Sequence, residues 1–237
     1  MDNTNNKVIG IVLAAGQGKR MNTTISKQFL VLRDKPLLYY SLKAFNESSV
    51  EEIILVVRDD MIDYCKEYIV DAYNLNKVIK IVAGGKERYD SVYQALSSID
   101  NADYVLIHDG ARPLITKEQI EEIIKQVRLH KACILATPVK DSIKVIDNDG
   151  YIACAPIRNT LWAAQTPQAF EFQGIKRAYS KFYDDHNRDD QKITDDAMVY
   201  ETYLNKKVKI IEGSYENIKV TTVEDLPIAD LFLNNRV

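Results

Sequence analysis

The chain has 237 residues, of which 46% are apolar and 27% charged, and its formal net charge is −3. These values are typical of one large globular domain, and they give no excess of positive charge that would predict nucleic acid or a membrane surface as a partner. The three cysteines lack the spacing of a zinc site or a disulfide framework, and no apolar run approaches membrane-spanning length. The first residues are polar, without the apolar core of a signal peptide, so we expect a cytoplasmic protein with reduced thiols.

The first predicted element is a strand that ends in a loop of small residues. Residues 7–13 are apolar and rich in β-branched side chains, as expected of a buried parallel strand. The loop brings together small residues and cations, namely Ala14, Ala15, Gly16, Gly18, Lys19, Arg20 and Lys27, and no acidic residue interrupts them. Small residues let backbone N–H groups approach an anion, so we expect a polyphosphate site at the carboxyl end of a sheet. A tight strand-to-helix turn with solvated cations is the alternative.

Two familiar phosphate-binding loops are excluded because the chain lacks a residue that each of them requires. A Walker A loop needs Ser or Thr after its Lys, and Arg20 stands there. A dinucleotide-binding fingerprint needs a third Gly for close helix packing, and Met21 follows in this chain. The loop therefore indicates nucleotide chemistry of another kind.

Strand and helix patterns alternate over the following residues. Strands are predicted at 52–57, 77–82, 103–107 and 132–139, and helices at 36–45, 60–73, 115–129 and from the region of 88 through 96. Alternation of this kind predicts right-handed crossovers and an α/β fold, Rossmann-like with a mostly parallel central sheet. Nearer the C-terminus, helices are predicted at 171–183 and 223–233, and short strands at 207–211 and 216–222.

Two further loops carry candidate binding residues. In GGKERYDS, the pair Gly84 and Gly85 lets the backbone lie against a ligand, and Ser91 and Arg88 fall three apart, so they can face one pocket. A plain turn capped by Asp90 or Ser91 is the alternative.

In HDGARP, Asp109 ends a predicted buried strand and is well placed to hold Mg²⁺ bound to phosphates, and Arg112 can grip a second phosphoryl group. Because neighbours on an extended chain point to opposite faces, His108 and Asp109 are not a catalytic pair. His108 is interpreted as a buried, hydrogen-bonded histidine.

The pattern then changes from crossovers to a hairpin. Residues 141–155 alternate apolar and polar side chains around Asn148-Asp149-Gly150, which predicts a projecting hairpin that could mediate dimerisation. Thr166-Pro167-Gln168 is interpreted as a stiff polar turn that points a hydroxyl into a cleft. The acidic stretch 184–196 is interpreted as a solvated loop and helix start, with a metal-binding cluster as the less favoured alternative.

These residues together favour electrostatic catalysis. The pattern offers cations, one strand-end carboxylate and scattered hydroxyls, but no Ser–His or Cys–His nucleophile and no carboxylate pair at strand ends. Charge neutralisation and alignment by Lys, Arg and Mg²⁺ are what phosphoryl or nucleotidyl transfer requires. The residues therefore predict an enzyme that joins a nucleotide to a phosphorylated small molecule.

From about residue 8 to 229 the chain resembles the 2-C-methyl-D-erythritol 4-phosphate cytidylyltransferases of the non-mevalonate isoprenoid pathway. The resemblance is carried, in order, by AAGQGKRM, SKQFL, GGKERYDSV, HDGARP, PVKDSIK, QTPQAF, TDDA and NIKVTT. It implies a Rossmann-like nucleotidyltransferase sheet and one domain over 1–237, with a protruding β-arm at about 141–157 that clasps a second subunit in a homodimer. It also implies transfer of a cytidylyl group from CTP to the sugar-alcohol phosphate, with release of pyrophosphate.

The resemblance also implies a role for individual residues. The catalytic cations are Arg20, Lys27 and Lys219. The residues implied to bind CTP are Ala14, Ala15, Gly16, Gly18, Lys19, Gly85, Lys86, Ser91, Asp109 and Gly110, with Asp109 also meeting Mg²⁺. The residues implied to bind methylerythritol phosphate are Arg112, Ser142, Arg158, Thr166 and Thr194, with Arg158 reaching in from the partner's arm. Ser142 departs from the Thr that this family usually has, so the hydroxyl is kept and a methyl contact is lost.

Three alternatives remain at this point. Ribitol-5-phosphate cytidylyltransferases have the same chemistry, but they usually have a Gly pair at the first loop and HDSVRP where this chain has HDGARP. A non-catalytic nucleotide-binding module on the same fold would not need Lys27, Asp109 and Lys219 together. A redox dinucleotide enzyme is disfavoured by Met21.

Overall fold

The structure is a computed structural model, and it describes residues 6–16, 27–186 and 193–236, with only the backbone of Lys27. The strands in chain order are β1 (Val8–Leu13), β2 (Val31–Leu32), β3 (Lys35–Pro36), β4 (Glu52–Val57), β5 (Val78–Ala83), β6 (Tyr104–Asp109), β7 (Ala132–Pro138), β8 (Val145–Ile146), β9 (Ile152–Cys154), β10 (Trp162–Glu171) and β11 (Lys209–Glu212). The α-helices are α1 (Leu37–Glu47), α2 (Ile62–Cys65), α3 (Arg88–Ser97), α4 (Lys117–His130), α5 (Phe172–Asp184), α6 (Asp196–Leu204) and α7 (Asp225–Asn234).

Within the described residues, the main sheet has seven strands in the order β11-β7-β10-β6-β1-β4-β5. All neighbours pair in parallel except β10, which is antiparallel to both β6 and β7. The predicted α/β class with a mostly parallel sheet is confirmed. Because Leu13 pairs with Asp109, and Val57 with Ala83, the loops after β1, β4, β5 and β6 all leave the same edge of the sheet.

The central strands are apolar on both faces because helices cover both faces of the sheet. Along β1, Val8 and Val12 join a core cluster with residues of α1 and α4. The alternating residues Ile9 and Ile11 join a second cluster with residues of α3, α5 and α6. This two-sided burial is why the strand reads as a continuous apolar run.

The prediction of a stiff polar turn within 158–170 missed strand β10. This strand crosses the middle of the sheet, although its sequence WAAQTPQAFE contains few β-branched residues. Its pairing with β7 shifts register between Ala164 and Gln168, so the polar residues between them lie in an irregular stretch inside a strand. Burial between two neighbouring strands outweighed the weak local strand propensity.

Two other predicted elements differ from the structure. The predicted strand at 216–222 is wrong. A backbone bond from Val220 N–H to Ala111 O, 2.8 Å, ties this segment to the loop after β6, but the segment forms no strand ladder. The predicted helix at 60–73 is helical but irregular, since a 3₁₀ turn (Asp59–Met61) and a π-helical stretch (Lys66–Asp71) flank α2.

The predicted hairpin is present as strands β8 and β9, which pair in antiparallel fashion across a turn in which Gly150 has φ +86°. Its base is fastened to the sheet by bonds from Val139 N–H to Leu161 O, 3.0 Å, and from Tyr215 Oη–H to Pro138 O, 2.8 Å. We call residues 140–161 the arm. It leaves the sheet between β7 and β10, at the edge from which the loops after β1 and β6 also leave.

In the part of the chain that the structure describes, no helix combines the length and the apolar character needed to cross a membrane.

Candidate active site

A cleft of about 530 Å³ opens at this edge of the sheet. Its walls come from the loops after β1, β5 and β6 and from Lys219, which precedes α7. Ligands of open α/β sheets bind in the crevice outside the carboxyl ends of the strands. The cleft is therefore the natural place for a nucleotide.

Glycines let the two small-residue loops come together. A Cβ on Gly84 would collide with the Ala15 side chain and would lie 2.7 Å from Ser91 Oγ, so a larger residue at this position would push the loops apart. Next to it, the Gly85 N–H donates to Ser91 Oγ at 3.2 Å. On the other loop, Gly16 O accepts from Gln28 Nε2 at 3.0 Å. The result is a narrow wall of backbone groups that suits a flat base.

Asp109 holds the two cations of the cleft. Its Oδ1 accepts from Arg88 Nε at 3.1 Å, and its Oδ2 accepts from Lys219 Nζ at 2.6 Å. Burial acts to raise the pKa of this carboxyl, but the positive charges of Arg88, Lys219 and Arg112 outweigh it, so the pKa lies well below the usual range. Asp109 is therefore ionised at neutral pH.

A chain of hydrogen bonds supports Asp109 from below. The Asp109 N–H donates to Thr166 Oγ1 at 3.1 Å, and that hydroxyl lies 3.0 Å from His108 Nδ1. His108 Nε2 lies 3.3 Å from Arg112 O, which can only accept, so Nε2 carries the proton and Thr166 donates to Nδ1. Burial lowers the pKa of His108 to about 3, which keeps the ring neutral. The prediction of a buried, hydrogen-bonded histidine is confirmed.

Arg112 lies beside the cleft and keeps one hydrogen-bond donor without a partner. Its Nη1 donates to Asn217 O at 2.7 Å, while its buried Nε has no hydrogen-bond partner. Burial lowers the pKa of this guanidinium, although Asp109 opposes the effect. A buried donor without a partner is costly, and an anion would satisfy it.

Arg88 and Asp196 form part of the site, although neither of them had been assigned a binding or catalytic role from the sequence. Arg88 lines the cleft and reaches Asp196, which is fully buried, through Nη1 at 3.0 Å and Nη2 at 2.8 Å. The three-residue spacing of Arg88 and Ser91 had indicated a shared pocket, and the structure places both on its wall. Asp196 had been interpreted as part of a solvated helix start, and its burial corrects that interpretation for this residue.

The predicted site residues fall into four groups. Those that line the cleft are Ala15, Gly16, Gly85, Lys86, Ser91, Asp109 and Lys219. Those buried beside it are Ala14, Gly110 and Thr166, with half-buried Arg112 nearby. Those exposed away from its walls are Ser142 and Arg158 on the arm and Thr194 before α6. Gly18, Lys19, Arg20 and the side chain of Lys27 lie outside the described residues.

The arm keeps its two candidate residues apart from the cleft within one chain. Ser142 is exposed, and exposed Arg158 donates to Lys140 O at 3.4 Å, within the arm itself. The single chain therefore brings together the nucleotide-side candidates but not all the sugar-phosphate-side ones.

The less favoured metal cluster at 184–196 finds no support among the described residues of that stretch. Among the described residues, no group of three or more His, Cys, Asp or Glu side chains is placed to hold a metal ion. Residues 187–192 of that stretch lie outside the described residues.

Comparison with known proteins agrees with the geometry of the cleft. Residues 8–235 match the family model described as 2-C-methyl-D-erythritol 4-phosphate cytidylyltransferase. Proteins of that name are similar to this chain: the one from Lachnoclostridium phytofermentans is 48% identical over 96% of both chains. The one from Lachnospira eligens is 50% identical over 94% of this chain and 97% of its own.

Solved structures give the same result. The 4-diphosphocytidyl-2C-methyl-D-erythritol synthase of Anaerococcus prevotii is 33% identical, covers 97% of both chains and superposes with a TM-score of 0.84. The cytidylyltransferase of Francisella tularensis is 28% identical with a TM-score of 0.77, over 95% of this chain and 99% of its own. The cleft, the order of the motifs and the near full-length matches lead to one conclusion: this chain belongs to the 2-C-methyl-D-erythritol 4-phosphate cytidylyltransferase family.

Proposed function

We propose that the cleft described above carries out the reaction of this family, in which the cytidylyl group of CTP is transferred to 2-C-methyl-D-erythritol 4-phosphate. The products are 4-diphosphocytidyl-2-C-methyl-D-erythritol and pyrophosphate. The observation that carries the proposal is the ionised Asp109 held between Arg88 and Lys219 at the mouth of a cleft walled by backbone groups. Such a site gathers charge for phosphate chemistry, and among the described residues that line it no Ser or Cys is paired with a histidine base.

CTP would lie with its base against the glycine loops. Gly85, Lys86 and Ser91 would read cytosine, largely through backbone groups near Gly85, and Asp109 and Gly110 would meet the ribose and the phosphates. The triphosphate would follow the first loop, made of Ala14, Ala15, Gly16, Gly18, Lys19, Arg20 and Lys27. In this orientation the α-phosphate would lie near Lys219.

The donor set fits Mg²⁺. This ion usually takes one or two protein carboxylates and completes its octahedron with phosphate oxygens and water. Asp109 supplies an ionised carboxylate at the phosphate side of the cleft, and a fuller protein cage is not needed. When bound, the ion would neutralise phosphate charge; Asp109 would hold it.

The reaction would proceed by in-line attack of the substrate phosphate on the α-phosphorus. The attacking phosphate is already anionic, so no general base is required, in keeping with a neutral His108. Repulsion between the two phosphates is the obstacle. Arg20, Lys27 and Lys219 would share the negative charge that develops in the transition state.

The acceptor would be bound across a homodimer. Arg112, Thr166 and Thr194 would hold methylerythritol phosphate from one subunit, while Ser142 and Arg158 of the partner subunit would reach in on its arm. The support is the arm itself, which exposes large apolar side chains that a monomer leaves in water: Ile143, Val145, Ile146, Tyr151, Ile152 and Ile157. Exposed apolar patches and uncovered strand edges are typical of surfaces that bind another protein. The whole of 1–237 would then act as one cytoplasmic catalytic domain.

Pyrophosphate release tests the proposal. The purified protein with CTP and Mg²⁺ should release pyrophosphate with 2-C-methyl-D-erythritol 4-phosphate and not with ribitol 5-phosphate. Turnover with ribitol phosphate alone would rule out the assigned acceptor while leaving the nucleotide chemistry standing. Tight CTP binding with no turnover on either acceptor would instead favour a non-catalytic nucleotide-binding module.

A further inference from the structure

Asp196 is a buried carboxylate that the proposed reaction does not use. Its side chain has no exposed surface, and it accepts from three donors: Arg88 Nη1 and Nη2, and Tyr179 Oη at 2.6 Å. Tyr179 is itself fully buried in the core between α5 and α6. The carboxylate is therefore held in one orientation from two sides.

Arg88 connects Asp196 to the carboxylate of Asp109 in the cleft. The pair of bonds to Asp196 uses both Nη groups, and this leaves Nε to donate to Asp109 Oδ1 at 3.1 Å. A guanidinium is planar and its donors have a fixed fork geometry, so fixing two of them fixes the direction of the third. The line of contacts runs Tyr179, Asp196, Arg88, Asp109, Lys219.

The alternating charges along this line keep Arg88 directed at Asp109 in the cleft. Arg88 is only partly buried, at 28% side-chain exposure, and lines the cleft, so without Asp196 it could turn toward the phosphates of a nucleotide. Asp109 would then lose the partner that holds Oδ1, and Oδ2 would no longer be presented to Lys219 in one geometry. Buried ion pairs of this kind are weak sources of stability, so a role in orientation is the better physical account.

We propose that Asp196 is a positioning residue of the nucleotide site, which acts through Arg88 to fix the carboxylate of Asp109. This inference rests on the proposed function, because it assigns Asp109 to the nucleotide and its phosphates. Asp196 itself is fully buried and is not among the residues that line the cleft.

A double-mutant cycle between Asp196 and Asp109 tests the proposal. Asp196→Asn should lower kcat/KM for CTP by about 10- to 100-fold, the usual effect of removing a group that orients a ligand-binding carboxylate. In the Asp109→Asn background the same change should cost less than about twofold, since the group it orients is already altered. An equal loss in both backgrounds, or full kcat/KM with only a lower Tm, would overturn the proposal.

A milder pair of variants covers the case in which Asp196→Asn does not fold. Tyr179→Phe removes one donor to Asp196, whereas Tyr200→Phe removes a hydroxyl from another fully buried tyrosine, which packs on Phe170. With both variants folded, Tyr179→Phe should lower kcat/KM for CTP about two- to fivefold and Tyr200→Phe should not change it. Equal values for the two variants would contradict the positioning role.

Calorimetric binding of CTP with Mg²⁺, without any acceptor, separates this inference from the proposed function. Wild-type protein that binds no CTP would refute the function itself. Wild-type protein that binds CTP, together with an Asp196→Asn variant of unchanged affinity and unchanged turnover, would refute only the positioning role.

Discussion

The cleft and the arm differ in how far their side chains are buried, although both lie at the same edge of the sheet. Around the cleft, polar groups are buried and joined in a continuous network, so that Asp109, His108 and Asp196 have 8%, 0% and 0% exposure. On the arm nearly every side chain is exposed, and the hairpin pairs only β8 with β9. Groups that orient a ligand need fixed positions, whereas the surface of the proposed dimer must stay open until a second subunit arrives. The comparison predicts different responses to the same kinds of change.

Truncating an aromatic side chain should show the largest difference between the two regions, measured as the loss of unfolding free energy. Phe170→Ala should destabilise the fold by about 3–5 kcal/mol, because Phe170 is fully buried in the strand below the cleft. The matched change Tyr151→Ala on the arm should alter stability by no more than about 0.5 kcal/mol, since Tyr151 is 75% exposed. Urea unfolding of both variants at low protein concentration measures the difference, and similar losses would contradict it.

The reactivity of the three cysteine thiols offers a second comparison of the buried sheet with the exposed arm. Burial raises the pKa of the Cys65 and Cys133 thiols from 9.0 to about 12. At a given pH, a thiol with this raised pKa is thiolate roughly a thousandfold less often than an ordinary cysteine. Cys154 on the arm is exposed.

At low protein concentration, where the proposed dimer is dissociated, iodoacetamide at pH 8 should therefore modify Cys154 and leave Cys65 and Cys133 unmodified, as read by mass spectrometry of the intact chain. Modification of all three in urea is the control. Rapid labelling of Cys133 in the folded protein would show that the sheet is looser than the structure describes.

Removing a cation from the cleft should lower the rate more than the binding of CTP. Lys219→Ala should reduce kcat by about 10²–10³, the usual loss for one group that stabilises developing charge. Lys27→Ala is expected to act in the same direction. Lys209→Ala, on the exposed edge strand β11, is the matched control and should have no effect.

Steady-state kinetics and CTP calorimetry on the same samples separate the two quantities. If turnover and CTP affinity fall by the same factor in Lys219→Ala, the lysine contributes uniform binding and not selective stabilisation of the transition state.

A charge on the arm should break the proposed dimer before it affects the fold. Ile152→Asp should weaken dimerisation by about tenfold or more, because burying an unpaired carboxylate costs at least ~1.4 kcal/mol. The KM for methylerythritol phosphate should rise while CTP affinity stays unchanged. Leu129→Asp places the same charge at a 67% exposed position on α4 and should leave assembly intact.

Light scattering coupled to gel filtration reads the oligomeric state of both variants. A wild-type protein that is monomeric at every concentration would refute the dimer, and it would also leave Ser142 and Arg158 without a route to the cleft.

Much of the site could be predicted because local chemistry marks it. Gly84 and Gly85 after a strand, and Asp109 at a strand end, each carry a signal that does not depend on distant residues. Arg88 was placed near the pocket by its spacing from Ser91, but its partner Asp196 is 108 residues away and could not be inferred from spacing. Strand β10 was missed because a sequence such as WAAQTPQAFE shows its burial only when both neighbouring strands are in place.

The sequence by itself determined the α/β alternation, the small-residue loops that line the cleft, the hairpin around Gly150 and the family. These depend on side-chain periodicity and on residue types that act within a few positions of one another. Only the tertiary structure decided that β10 runs antiparallel through the centre and that Asp196 lies beneath Arg88. It also showed that Lys219, from a segment without a strand ladder, reaches Asp109 across the edge of the sheet. Contacts between segments a hundred residues apart are set by how the sheet orders its strands, and no local pattern encodes that order.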